Sequence, residues 1–72
     1  MRLEVFQRAA RENRSVYINY PFENVAFRWQ SEGEVYRKFY GKAEMRIPSD
    51  NHLFHEAMSG GEEITAEEYS GL

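Results

Sequence analysis

"FRWQSEGEVYRKFY" (residues 27–40) places five aromatic rings and three basic residues around the tripeptide Ser31-Glu32-Gly33. Phe27 and Trp29 flank Arg28, and this period of two marks a strand with two distinct faces. A glycine that closes a three-residue loop supplies the positive φ of a G1 bulge. With that loop Trp29 faces Val35, Phe27 faces Arg37 and Val25 faces Phe39, while Arg28 meets Tyr36 and Ala26 meets Lys38. A two-residue Glu32-Gly33 loop would instead set Arg28 against Arg37, a like-charge pair that disfavours the register. It would also scatter the apolar residues of the following strand. The three-residue loop is therefore adopted.

The preceding segment extends the pattern. "SVYINY" (15–20) is β-branched and aromatic and runs into Pro21, and "PFEN" has the composition of a four-residue turn. That turn pairs Tyr20 with Val25, Ile18 with Phe27 and Val16 with Trp29, all on one face. The expected buried face is Val16, Ile18, Tyr20, Val25, Phe27, Trp29, Val35 and Phe39. Tyr17, Asn19, Arg28, Tyr36, Lys38 and Tyr40 fall on the other face, with Tyr17, Arg28 and Tyr36 in one cross-strand row. Arg37 falls among the apolar set, so it must snorkel past a sheet edge, or the strand must bend near Gly41. "KAEMRI" (42–47) alternates again with Ala43, Met45 and Ile47 inward. It reads either as a fourth strand or as a continuation of the third past a bulge at Gly41.

Helices flank this meander. "RLEVFQRAARENRS" (2–15) is amphipathic, with Leu3, Phe6 and Ala10 at helical spacing beside Val5 and Ala9, and with Asn13 suited to the left-handed stop. A second helix follows Pro48, with Ser49 or Asp50 as N-cap, an apolar stripe of Leu53, Phe54, Ala57 and Met58, and Gly60 as its stop. Ile64 anchors the acidic segment beyond it. Thr65 and Glu68 have capping-box spacing and open one short helical turn that carries Tyr69. The expectation is a single α+β domain over 1–72. An antiparallel meander of three or four strands has an N-terminal and a C-terminal helix, plus the short turn, packed on one face, and the last few residues fray.

Composition narrows the function. A chain of 72 residues buries only about 60% of its unfolded surface, and 11 aromatic residues partly compensate. Cysteine is absent, which removes disulfides, thiolate ligands and a cysteine nucleophile and fits a reducing compartment. No run of ten apolar residues occurs, so neither a signal peptide nor a membrane span is expected, and the expected location is the cytoplasm. All nine Lys and Arg residues lie in 1–46 with six acids, for a local charge of +3, whereas 47–72 carries six acids and neither Lys nor Arg.

Catalytic chemistry finds no foothold. His52, His55 and Glu56 share a helix face, but no further His or Cys completes a zinc site, so no metal or cofactor is expected. The five serines sit at expected turns and caps, and neither G-x-S-x-G nor a phosphate-cradling loop is present. Ala57 and Gly61 have the spacing of a helix-turn-helix, yet its second helix would bring Glu62, Glu63, Glu67 and Glu68 against phosphates.

What remains is surface. The expectation is a non-catalytic small binding protein, a modulator or inhibitor of a larger protein. It would act through Tyr17, Arg28, Tyr36, Arg37, Lys38 and Tyr40, or through the acidic surface of Glu62, Glu63, Glu67 and Glu68. The alternative is single-stranded nucleic acid stacked on the same aromatic and basic sheet face. An unpaired sheet edge also leaves a homodimer open.

Overall fold

A computed structural model describes residues 1–72 and has the expected α+β class. In chain order the elements are α1 (Leu3–Arg11), β1 (Val16–Tyr20), β2 (Val25–Trp29), β3 (Val35–Phe39), β4 (Met45–Ile47), α2 (His52–Gly60), β5 (Glu62–Ile64) and α3 (Ala66–Ser70), with a 3-10 turn at Pro21–Glu23. One antiparallel sheet has the order β4-β3-β2-β1-β5.

Both hairpin registers are those derived from the sequence. Tyr20 pairs with Val25, Ile18 with Phe27 and Val16 with Trp29. Across the second hairpin Trp29 pairs with Val35, Arg28 with Tyr36, Phe27 with Arg37, Ala26 with Lys38 and Val25 with Phe39. Gly33 adopts φ 92°, its N–H donates to the Gln30 carbonyl at 2.8 Å, and the Gln30 N–H donates to the Glu34 carbonyl at 2.9 Å. Between β1 and β2 the 3-10 turn exits through Asn24 in the left-handed region, at φ 52°.

The core forms where α1 and α2 cover one sheet face. Val16, Ile18, Val25, Phe27, Val35 and Ile47 are buried beneath Ala9, Phe54 and Ala57. The Phe27 and Phe54 centroids lie 5.5 Å apart, and Phe6 meets Trp29 edge-on at 5.3 Å. Such aromatic contacts add about 0.5–1.5 kcal/mol each beyond the area they bury.

Several local expectations are corrected. The inward stripe of α1 is Val5, Phe6 and Ala9, whereas Leu3 is 70% exposed and Ala10 is exposed. The sheet takes the helix face that brings Phe6 to Trp29, while Asn13, at φ 52°, forms the expected left-handed stop just beyond the helix end at Arg11. The N-cap of α2 is Asn51, not Ser49 or Asp50; its side-chain oxygen accepts from the Phe54 N–H at 3.0 Å. Residues 45–47 form a separate strand, and Ile47 is buried, but Ala43 and Met45 are exposed, as is Phe39. The cause lies in helix placement: α1 and α2 pack mainly on β1, so part of the β3–β4 flank has no helix above it.

The largest departure is at the C-terminal end. Residues 62–64 pair with β1 as a fifth strand, a segment whose only apolar residue is Ile64. The free edge of β1 determines this pairing where local propensity does not. The chain then crosses to the sheet face opposite α1 and α2, so α3 does not join them. Its capping box forms as the sequence implies, with Thr65 and Glu68 exchanging side chain-to-backbone hydrogen bonds. The final residues, expected to fray, are tied back: the Leu72 oxygen accepts from the Gly41 N–H at 2.8 Å.

The reversal from α2 into β5 depends on Gly61, at which a Cβ would lie 2.6 Å from the Ala57 oxygen, 2.8 Å from Ile18 Cγ2 and 2.9 Å from the Asn19 oxygen. Gly61→Ala is expected to lose about 2 kcal/mol in urea unfolding. Gly60→Ala, whose Cβ would meet only the Tyr20 ring edge at 3.4 Å, is expected to be neutral or to gain up to about 1 kcal/mol from helix propensity. Equal effects of the two substitutions would contradict the close approach at Gly61.

Candidate functional site

The candidate residues on the second sheet face are brought together as the register requires, but most are engaged within the chain. Tyr17, Arg28 and Tyr36 form one row across β1, β2 and β3. The Arg28 guanidinium carbon lies 4.1 Å from the Tyr36 ring centroid. The same guanidinium donates twice to Glu44, Nε to Oε2 at 3.0 Å and Nη2 to Oε1 at 2.6 Å. Tyr69 from α3 lays its ring 5.1 Å from Tyr17 and donates its hydroxyl to Glu44 Oε2 at 2.6 Å. Ala26 is fully buried on this face, and Tyr69 is 5% exposed.

The outer members are also held. Lys38 Nζ donates to the Leu72 oxygen at 2.6 Å, and the Tyr40 hydroxyl donates to Asn19 Oδ1. The Tyr36 hydroxyl donates to Glu34 Oε2 at 2.8 Å, and Arg46 stands 3.8 Å from the same carboxylate. An open stacking platform requires free ring faces. Here α3 covers Tyr17 and Arg28 occupies a face of Tyr36, which corrects the expectation of an uncovered tyrosine face.

The electrostatics follow the geometry. Hydrogen bonds from Arg28 hold the Glu44 carboxyl below its ordinary range, against desolvation and with further help from Tyr69. The same bond raises Arg28 above its usual value. Burial pushes Tyr69 far above an ordinary phenol, reinforced by its hydrogen bond to the Glu44 anion. Tyr36 is raised chiefly by donating to Glu34. Glu44 is the residue that sequence reasoning missed. The signal was present, because an alternation that turns Ala43, Met45 and Ile47 one way turns Glu44 and Arg46 toward the Tyr36 side.

The acidic candidate surface meets the sheet-face row at Tyr17. Glu62, Glu63, Glu67 and Glu68 are exposed along β5 and α3, and none forms a salt bridge. Glu63 and Glu68 line an open groove of 450 Å³ with Arg14 and Tyr17. Arg37 stands apart from its companions, on the α1–α2 side of the sheet, with its guanidinium carbon 4.8 Å from the Phe39 ring centroid. His52 pairs with Glu56 at 3.2 Å, and His55 Nε2 lies 3.1 Å from the Ser49 oxygen. No three His, Cys, Asp or Glu side chains converge, and no helix is long and apolar enough to cross a membrane.

Comparison with known proteins adds a family. The family described as Tis1 immunity protein matches residues 3–71. The chain is 48% identical over 59 residues to the immune protein Tis1 of Pseudomonas aeruginosa (strain UCBPP-PA14), covering 78% of this chain and 77% of that protein. It is also similar to a chain from the crystal structure of the complex between the type VI effector Tas1 and its immunity protein. That match has a TM-score of 0.80 and 42% identity, covering 97% of this chain and 90% of the other.

The Arg28–Glu44–Tyr69 cluster should govern how stability depends on pH. Tyr69 ionises near 10 in the unfolded chain and higher when folded, so its contribution is intact below about pH 10 and is lost as pH rises toward the folded value. Glu44 has the opposite sign: its contribution is present above the ordinary value near 4.5 and is lost as pH falls through the lowered folded value. Tyr69→Phe is expected to cost about 1–2 kcal/mol at neutral pH and to flatten the alkaline limb of urea midpoint against pH. Glu44→Gln should flatten the acid limb. Limbs parallel to those of the unmodified chain would refute the assignment.

Proposed function

The chain belongs to the Tis1 immunity protein family, and from that membership we propose that it is a non-catalytic inhibitor that neutralises a type VI effector by binding it. The observation that carries this reading is the match over 97% of the chain to a member of a solved effector–immunity complex. The physical picture agrees. The ionisable groups on the second face are spent on one another, and a protein built this way acts through the surface it presents. The contact is placed in the cytoplasm as part of the same proposal, with which a cysteine-free sequence is compatible.

Single-stranded nucleic acid is not retained as a second reading, because Tyr17, Arg28, Tyr36 and Lys38 on the face it would use are partnered internally. Self-pairing through a sheet edge is also disfavoured. Both edge strands are three residues long, and β5 presents Glu62 and Glu63, which repel a like edge.

The test is binding to the Tas1-related effector of the same source strain. Purified chain and effector are expected to elute as one complex with a dissociation constant of about 10 nM or tighter, as enzyme–inhibitor pairs of standard interface size do. Stoichiometric addition should abolish effector toxicity. Separate elution at micromolar concentrations, or inhibition without a complex, would sink the reading.

A further inference from the structure

Arg37 has no place in the mechanism of folding described above. It lies in the central row of the core face, opposite Phe27 on one side and Met45 on the other, and it is half-buried there. Its guanidinium rests on the Phe39 ring and donates only to the Met45 sulfur, at 3.1 Å. It forms no salt bridge, like Arg2, Arg8 and Arg11 and unlike Arg14, Arg28 and Arg46. Phe39 is 40% and Met45 55% exposed around it.

A second exposed aromatic lies toward the other side of the same face, beyond the fully buried Val25. Phe39 pairs with Val25, and Val25 with Tyr20, so Tyr20 stands two strands away, on the order of 10 Å. The Phe22 ring, 81% exposed, leans on Tyr20 with centroids 5.7 Å apart. Half-buried Arg37 and Tyr20 beside exposed Met45, Phe39 and Phe22 have the composition of a binding hot spot.

We propose that this corner, Arg37 with Phe39 and Met45 and extending to Tyr20 and Phe22, is the docking surface for the effector, and that the effector meets it with a carboxylate set in an apolar rim. The proposal rests on the immunity reading above and adds the site and its chemistry. Charge complementarity selects the occupant. A partner that covers the corner removes water from Arg37, whose five N–H donors then need acceptors. A thioether satisfies one weakly, and a bidentate Asp or Glu satisfies two with opposite charge. A second copy of this chain docked across a two-fold axis would set Arg37 near Arg37, so the isologous dimer is disfavoured.

The experiment titrates the Tas1-related effector of the source strain with the full chain and four variants by calorimetry. Circular dichroism and urea unfolding establish that each variant folds. Phe39→Ala is expected to weaken binding by about 30-fold, Arg37→Gln by about 10-fold and Arg37→Glu by about 100-fold. Glu62→Gln combined with Glu67→Gln, on the opposite sheet edge, should stay within about 3-fold. Folded Arg37→Glu and Phe39→Ala variants that bind like the unmodified chain would overturn the docking surface. If Phe39→Ala weakens binding and Arg37→Gln does not, the carboxylate is overturned. Sedimentation of the chain alone should give a monomer; a dimer dissolved by Phe39→Ala would assign the corner to self-association and overturn the proposal. Failure of the unmodified chain to bind the effector would remove the immunity reading itself, a result distinct from all of these.

Discussion

The structure depends on register across β2 and β3. Side chains in a strand alternate faces, so a slip of one residue would carry Phe27 and Trp29 out of the core and Arg28 into it. Gly33 prevents that slip by taking a positive φ that closes a three-residue loop. Every later feature inherits the choice. The core on one face, the Arg28–Tyr36 contact on the other and the isolation of Arg37 all follow from Trp29 facing Val35.

A chain of this size has difficulty covering both sides of a sheet. Two helices cover one face, and the second is closed by a single short helix that brings one buried ring, Tyr69. There Arg28 and Glu44 are already paired in bidentate geometry, and the Tyr69 hydroxyl adds a third hydrogen bond to the carboxylate. Together they rigidify the face that sequence alone presents as an open binding platform. A partly exposed ion pair is worth little in isolation, but a hydrogen-bonded cluster that orders three segments does more than any of its pairs.

That use of the second face shifts attention to what the helices leave uncovered. α1 and α2 sit toward β1, and the β3–β4 corner is the apolar, cationic surface that remains. A chain that folds around one small core leaves apolar and cationic groups at the margin of that core. Rigid presentation limits the entropy lost on association. On the far edge, β5 is three residues long and exposes Glu62 and Glu63, which disfavours pairing with another chain.

Period and turn chemistry alone determined the α+β class, both hairpin registers, the capping box at Thr65 and the misfit of Arg37. These are local rules, carried by alternation, by Gly33 and by a Thr-x-x-Glu spacing, and they act between residues close in sequence. Only tertiary structure decided that residues 62–64 would pair with β1, because Glu62 and Glu63 have no strand propensity and the free edge of β1 supplies the hydrogen bonds. It also decided that α3 would cross to the second face, where Tyr69 meets Tyr17 and Glu44 across separations of 52 and 25 residues. Contacts of that range depend on where helices leave surface uncovered, and no periodicity in a single segment encodes it.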